Sequence, residues 1–232
     1  VDRIVISSPI TGVAADLAAL DERFLETPAV AMELCRNTAV KMAHLSQKAL
    51  DKALDIINNY SDAAYDEVVA MEEDVDKYED KLGSYLVKVG NCDLSRHDNH
   101  TFSILLHCMS DFERISDHGE NIAELGKNLI KEKLTFSEHA QDEIKEISNL
   151  AINNFKDSMK CLEEINLELR KRVHENEKQV DLLEIGYRNH HLQRLNEGRC
   201  TVDSGVIYFD ILANLERISD HSKNIADYSY DI

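Results

Sequence analysis

A chain of 232 residues with 44 Asp and Glu against 26 Lys and Arg carries a formal net charge of −18, which repels phosphate backbones and argues against nucleic acid as a partner. Two prolines and eight glycines interrupt a composition rich in Leu, Ala, Glu, Lys, Asp and Ile, so the chain reads as all-α. No apolar run approaches the roughly 18 residues that span a bilayer and no signal-peptide pattern is present. Five dispersed cysteines (Cys35, Cys92, Cys108, Cys161, Cys200) point to reduced thiols in a cytosolic setting.

In chain order, residues 1–12 are apolar and β-branched, broken by Pro9 and Gly12, and residues 13–25 form a short helix ending before Thr27-Pro28. Residues 1–28 together read as a leader or linker. A long helix follows over 29–58, its apolar stripe carried by Val30, Leu34, Met42, Leu45, Ala49 and Ile56. Ser61 is an N-cap, with Asp62 in the first turn of a second helix reaching residue 89. Gly90-Asn91 tolerate the left-handed conformation that stops it. Ser95 and Asp98 form a capping-box pattern for a third helix running to about 131. The plan then repeats. Thr135 to Glu138 is another capping-box pattern before a helix over 138–169. A fifth helix occupies 170–195 and stops at Glu197-Gly198, and a sixth covers 201–230. Six helices with short links predict two tandem antiparallel three-helix bundles, over 29–133 and 134–232, related by a pseudo-twofold internal repeat.

The strongest signal is a phrase said twice: ERISDH stands at 113–118 and, unchanged, at 216–221. Residues four apart share a helix face, so Glu113 lies beside Asp117 and Glu216 beside Asp220. Such a like-charged pair costs about 0.2–0.5 kcal/mol in an isolated helix unless a cation compensates it. A second phrase repeats at an offset of 105, matching Glu72, Asp76 and Glu79 to Glu177, Asp181 and Glu184. Each half thus places Glu-x-x-x-Asp on its second and third helices, which a short link makes antiparallel neighbours. Glu72, Asp76, Glu113 and Asp117 in one half, and Glu177, Asp181, Glu216 and Asp220 in the other, can converge on metal ions. Oxygen-rich sets suit Mg, Mn, Ca and Fe, with Zn where a His assists.

A bland reading stands beside this one. In an acidic helical protein such pairs arise by chance and face solvent, with Arg114 and Arg217 as intrahelical partners for Asp117 and Asp220. His118 and His221 follow the acids, but a rotation of about 100° separates each from its Asp. Asn121 and Asn224 are candidates for hydrogen bonds between helices. The third and sixth helices carry apolar residues on two sides: Ile104, Ile115 and Ile122 lie opposite Phe102, Leu106 and Met109. Each should therefore complete its own bundle with one face and meet the second bundle, or another subunit, with the other.

At these phrases the sequence resembles the PhoU family, whose tandem signature reads Glu/Arg-Arg-Ile-Gly-Asp-His-x-x-Asn-Ile-Ala; Ser116 and Ser219 stand here at the Gly position. The resemblance spans residues 29–230. The stretch LDERFLETPA at 20–29 further resembles the lead-in to the PhoU-like domain that follows the membrane part of bacterial sodium/phosphate cotransporters. The resemblance implies multinuclear iron or zinc clusters on the eight carboxylates named above, and a regulatory role in phosphate uptake rather than catalysis. It also implies a place on the cytoplasmic face of the membrane. The partners implied are a transporter segment of the same polypeptide or other phosphate-transport proteins, and a homo-oligomer is compatible with it. Two rivals come from other classes. A di-iron carboxylate enzyme would need Glu-x-x-His motifs, which the repeated phrases lack, and a metal-free helical scaffold would use the bundles for protein contacts alone.

Overall fold

A computed structural model describes residues 12–163 and 166–229; the expectations for residues 1–11, 164–165 and 230–232 lie outside the described residues. A short helix α1 (Val13–Ala18) and a 3-10 turn (Glu22–Glu26) precede six long helices: α2 (Pro28–Ile56), α3 (Asp62–Val89), α4 (Arg96–Lys131), α5 (Glu138–Glu163), α6 (Leu167–Asn196) and α7 (Val202–Tyr228). There is no strand among the described residues, and no helix among them is long and apolar enough to cross a membrane.

Local chemistry sets most boundaries. The Ser61 hydroxyl accepts from the Ala64 amide at 3.1 Å. The Ser95 hydroxyl accepts from the Asp98 amide and donates to the Asp98 carboxylate, which satisfies the first turn of α4. Gly198, at φ 68°, closes α6 with a bond from the Arg199 amide to the Arg194 carbonyl at 2.8 Å.

Three expectations about helix ends need correcting. Gly90 is right-handed rather than left-handed; it is small because a Cβ there would meet the Phe102 ring at 2.8 Å. The fourth helix ends at Glu163, and the fifth begins at Leu167 rather than residue 170. The Asn166 side chain fixes that start by accepting from the Glu168 and Leu169 amides. At α5 the capping hydroxyl belongs to Ser137, not Thr135.

Helices α2, α3 and α4 pack into one antiparallel triplet and α5, α6 and α7 into a second, and α4 lies against α7 between them. The triplets repeat residue by residue. Cys35, Ala39, Met42 and Leu50 of α2 recur as Ala140, Ile144, Ile147 and Phe155 of α5, all buried. The predicted two-sided packing of the third and sixth helices thus resolves into contact between the halves. The main apolar core runs through both triplets without a break. At Gly126 a Cβ would meet Ile56 Cγ2 at 2.9 Å, so this glycine allows α2 and α4 to approach closely. Phe112 and Phe155, both fully buried, bring their rings to 6.3 Å across the seam of the halves. Phe112→Ala is expected to cost about 3–5 kcal/mol. Because the core is shared, denaturant should still unfold both halves in one transition; a melt resolved into two steps would contradict the shared core.

Residues 13–26 do not stand apart as a leader. Leu20 is buried in the main core, the Tyr78 hydroxyl donates to Asp16 at 2.6 Å, and the Tyr85 hydroxyl donates to the Asp21 carbonyl. At the equivalent place on the second triplet the positions of Thr38, Val89 and Leu105 are taken by Glu143, Arg194 and Tyr208. There the Arg194 guanidinium and the Tyr208 hydroxyl both donate to the Glu143 carboxylate, at 2.7 and 2.6 Å. One half is thus covered by its own N-terminal segment, and the other carries a buried polar network instead.

Candidate metal centre

The acids sit one position past core residues, which fixes where they point. On α3, Met71, Val75 and Tyr78 are buried, so Glu72, Asp76 and Glu79 follow them along the edge of the seam with α4. On α4, Phe112, Ser116 and Gly119 are buried, and Glu113, Asp117 and Glu120 follow in the same way. The antiparallel register sets Glu72 near Glu120, Asp76 near Asp117 and Glu79 near Glu113. One oxygen from each of Glu72, Asp76 and Asp117 falls within a mutual 4.8 Å. The second half repeats this with Glu177, Asp181 and Asp220. Two oxygens bound to one cation at about 2.0–2.6 Å each can lie no more than about 4–5 Å apart, so both triads have the spacing of an ion's ligands. Asp181 Oδ1 is buried with no hydrogen-bond partner. An oxygen in that position is expensive to leave unpaired and fits a metal ligand.

The electrostatics show the strain of assembling these groups. Burial, with Asp76 and then Glu120 beside it, pushes the Glu72 carboxyl up to about 7. Burial, with Asp117 and then Glu79 beside it, does the same to Glu113, also to about 7. Asp76, Glu79 and Glu120 are raised by burial and by their acidic neighbours. Asp181 and Glu216 in the second half are raised for the same reasons. No ion pair reaches the first cluster among the described residues, whereas the second is crossed by Lys223–Glu177 at 2.6 Å, Arg188–Glu184 and Arg217–Asp220 at 3.5 Å.

The structure therefore brings together three of the four expected carboxylates in each half. Glu113 and Glu216 stand one turn further along, beside Glu79 and Glu184. Glu79, Glu184 and Glu120 border the same ridge and lie outside the eight expected ligands. The signal for them was the acid three residues beyond Asp76, Asp181 and Asp117. Arg217 pairs with Asp220, as the bland reading expects, while Arg114 makes no ion pair among the described residues.

The paired histidines turn elsewhere. His118 Nδ1 donates to Asn214 Oδ1 at 2.8 Å and His221 Nδ1 to Asp111 Oδ1 at 2.7 Å, with the two rings stacked 5.7 Å apart. Asn224 adds a bond to Asp111 at 3.3 Å. Asp111 and Asn214 are equivalent positions, so these bonds run in both directions across the internal pseudo-twofold axis. The two histidines and Asn224 of the repeated phrases thus join the halves, and the acids that precede them are left to face the α3–α4 and α6–α7 seams.

The PhoU domain model matches residues 39–126 and again 144–229. The phosphate-specific transport system accessory protein PhoU homolog 1 of Thermotoga maritima is 23% identical over 198 residues, covering 84% of either chain. A PhoU homolog of Xylella fastidiosa with the same accessory role in its name is 22% identical over 188 residues, covering 81% of this chain and 78% of its own. Among solved structures, PhoU from Pseudomonas aeruginosa superposes with a TM-score of 0.77 at 19% identity, over 85% of this chain and 94% of its own. The phosphate transport system regulatory protein PhoU from Streptococcus pneumoniae does so at 0.78 and 14% identity, over 88% and 95%.

Proposed function

The chain belongs to the PhoU family, and from that premise we propose that it is a metal-binding regulator of phosphate transport, acting through protein contacts rather than catalysis. The observation that carries the metal part is the convergence of Glu72, Asp76 and Asp117, repeated by Glu177, Asp181 and Asp220, with ligand oxygens at ion-binding distances in both halves. The donor set is all oxygen, because the neighbouring histidines are engaged at the seam between the halves. Such a set suits iron, manganese or magnesium better than zinc, which favours nitrogen and sulfur. Multivalent cations held there would give an acidic face the positive charge that phosphate or an acidic partner surface requires.

The role in phosphate transport follows the names of the relatives in Thermotoga maritima and Streptococcus pneumoniae. A finer placement, as the module of a sodium/phosphate cotransporter on the cytoplasmic face of the membrane, is supported by residues 20–29 alone. The test is elemental analysis of the full chain purified without chelator or metal-affinity resin, followed by phosphate binding before and after EDTA. The reading expects bound metal in the purified protein and phosphate affinity that falls on chelation. Protein that is metal-free and stays so after incubation with Fe²⁺ or Mn²⁺ would overturn it.

A further inference from the structure

The two acidic clusters descend from one repeated phrase, yet their counter-charges differ. Glu120 of α4 and Lys223 of α7 occupy equivalent positions, seven residues after Glu113 and Glu216. In the first half that position adds a carboxylate close to Glu72 and Asp117. In the second half it places an ammonium 2.6 Å from Glu177, which is only 6% exposed. Arg188, which pairs with Glu184, stands where α3 has Gly83. Arg217 reaches both Glu216 and Asp220, whereas its equivalent Arg114 makes no ion pair among the described residues.

Building on the metal reading above, we propose that the two clusters are unequal cation sites: the α3–α4 cluster binds multivalent cations tightly, and the α6–α7 cluster already holds a tethered cation, Lys223, that an incoming ion must displace. Three considerations support this ordering. The affinity of an oxygen site for a hard cation rises with the number of uncompensated carboxylates. Six acids crowd the first seam with no ion pair among the described residues and with Arg114 acting only at longer range on Glu79 and Glu113, whereas three cations pair with the acids of the second. Glu177 is also the most buried of these acids, so moving Lys223 away leaves a buried carboxylate that only the incoming ion can satisfy. The second cluster keeps a triad of ligand spacing, and Asp181 of that triad has a buried Oδ1 without a hydrogen-bond partner, so the cluster still binds. The consequence is graded occupancy: scarce metal fills the first half, and the second fills only when metal is abundant.

The test is a titration of Mn²⁺ into the EDTA-stripped full chain, with free Mn²⁺ read by electron paramagnetic resonance. Wild-type protein should show two classes of site whose Kd values differ by tenfold or more. Asp117→Asn should remove the tight class and Asp220→Asn the weak one. Glu120→Lys should weaken the tight class by at least tenfold. Lys223→Glu should tighten the weak class by a similar factor. Lys223→Gln provides the same test with less added charge, and circular dichroism confirms that each variant folds. One class of site in the wild type, or a weak class that Lys223→Gln leaves unchanged, overturns the inequality while leaving the metal reading in place. A chain that takes up no Mn²⁺ at all overturns both.

Discussion

Asp117→Asn combined with Asp220→Asn is expected to strip the protein of retained metal while leaving its helices intact. Each Asp lies at the centre of its cluster: Asp117 neighbours Glu72, Asp76, Glu79, Glu113 and Glu120, and Asp220 neighbours Asp181 and Glu216. Asn keeps the shape and removes the charge, so the loss falls on cation binding. A hundredfold weaker Kd at each site, about 2.7 kcal/mol, is the expected order for losing one of three convergent charged ligands. Without metal the same change relieves like-charge repulsion, so the double variant should melt no lower than the EDTA-treated wild type and up to about 1 kcal/mol higher in stability. Elemental analysis and thermal melts of the two proteins side by side provide the check. Equal metal content, or a variant that collapses with EDTA present, would show that these aspartates serve structure and not ions.

Much of this site was readable in the sequence because a repeated helical phrase constrains both period and partner. The 3.6-residue period put Glu72 with Asp76 and Glu113 with Asp117, and the short connection after Val89 made their helices antiparallel neighbours. The relative register of α3 and α4 was not readable, because a period fixes which face a residue occupies and not how far one helix slides along another. That offset brings Glu72 opposite Glu120 and sends Glu113 to Glu79 instead. The histidines show a second limit. That His118 meets Asn214 depends on how α4 crosses α7, a contact between residues 96 apart with no local signature. The N-terminal segment was misplaced for a related reason: α1 is six residues long and has no buried residue of its own. Its attachment comes from Asp16 and Leu20 meeting Tyr78 and the core of a distant helix pair. The helix bounds were most legible where a hydroxyl caps the first turn, as at Ser61 and Ser95, and least near Asn166, where a side-chain amide does so between alternating apolar and polar residues.

Metal-free protein should lose stability as pH rises from about 6.5 to 8, a slope that bound metal should remove. Glu72 and Glu113 titrate near 7 in the fold, against an ordinary 4.5, so the folded state holds their protons more tightly than the unfolded chain does. The stability they contribute is complete below about 4.5 and disappears as pH climbs through 7. Groups shifted downward act outside this window. Half-buried His118 and buried His191 are depressed by desolvation, so their contribution is present above 6.5 and fails only on acidification. Asp157 and Glu143, held low by Arg172 and Arg194 against the cost of burial, matter at still lower pH. One pKa unit corresponds to about 1.4 kcal/mol, and screening at this half-open seam reduces it, so the two glutamates together should give a fall of about 1 kcal/mol between pH 6.5 and 8. Glu72→Gln/Glu113→Gln should flatten that slope. Adding Mn²⁺ at a fixed concentration a hundredfold above its Kd at pH 6.5 should restore about 2.7 kcal/mol there, and more at pH 8, because the ion and the protons compete for the same oxygens. Urea melts across this range, with and without Mn²⁺, decide the matter. A slope that persists in the glutamine variant would remove these carboxylates from the account.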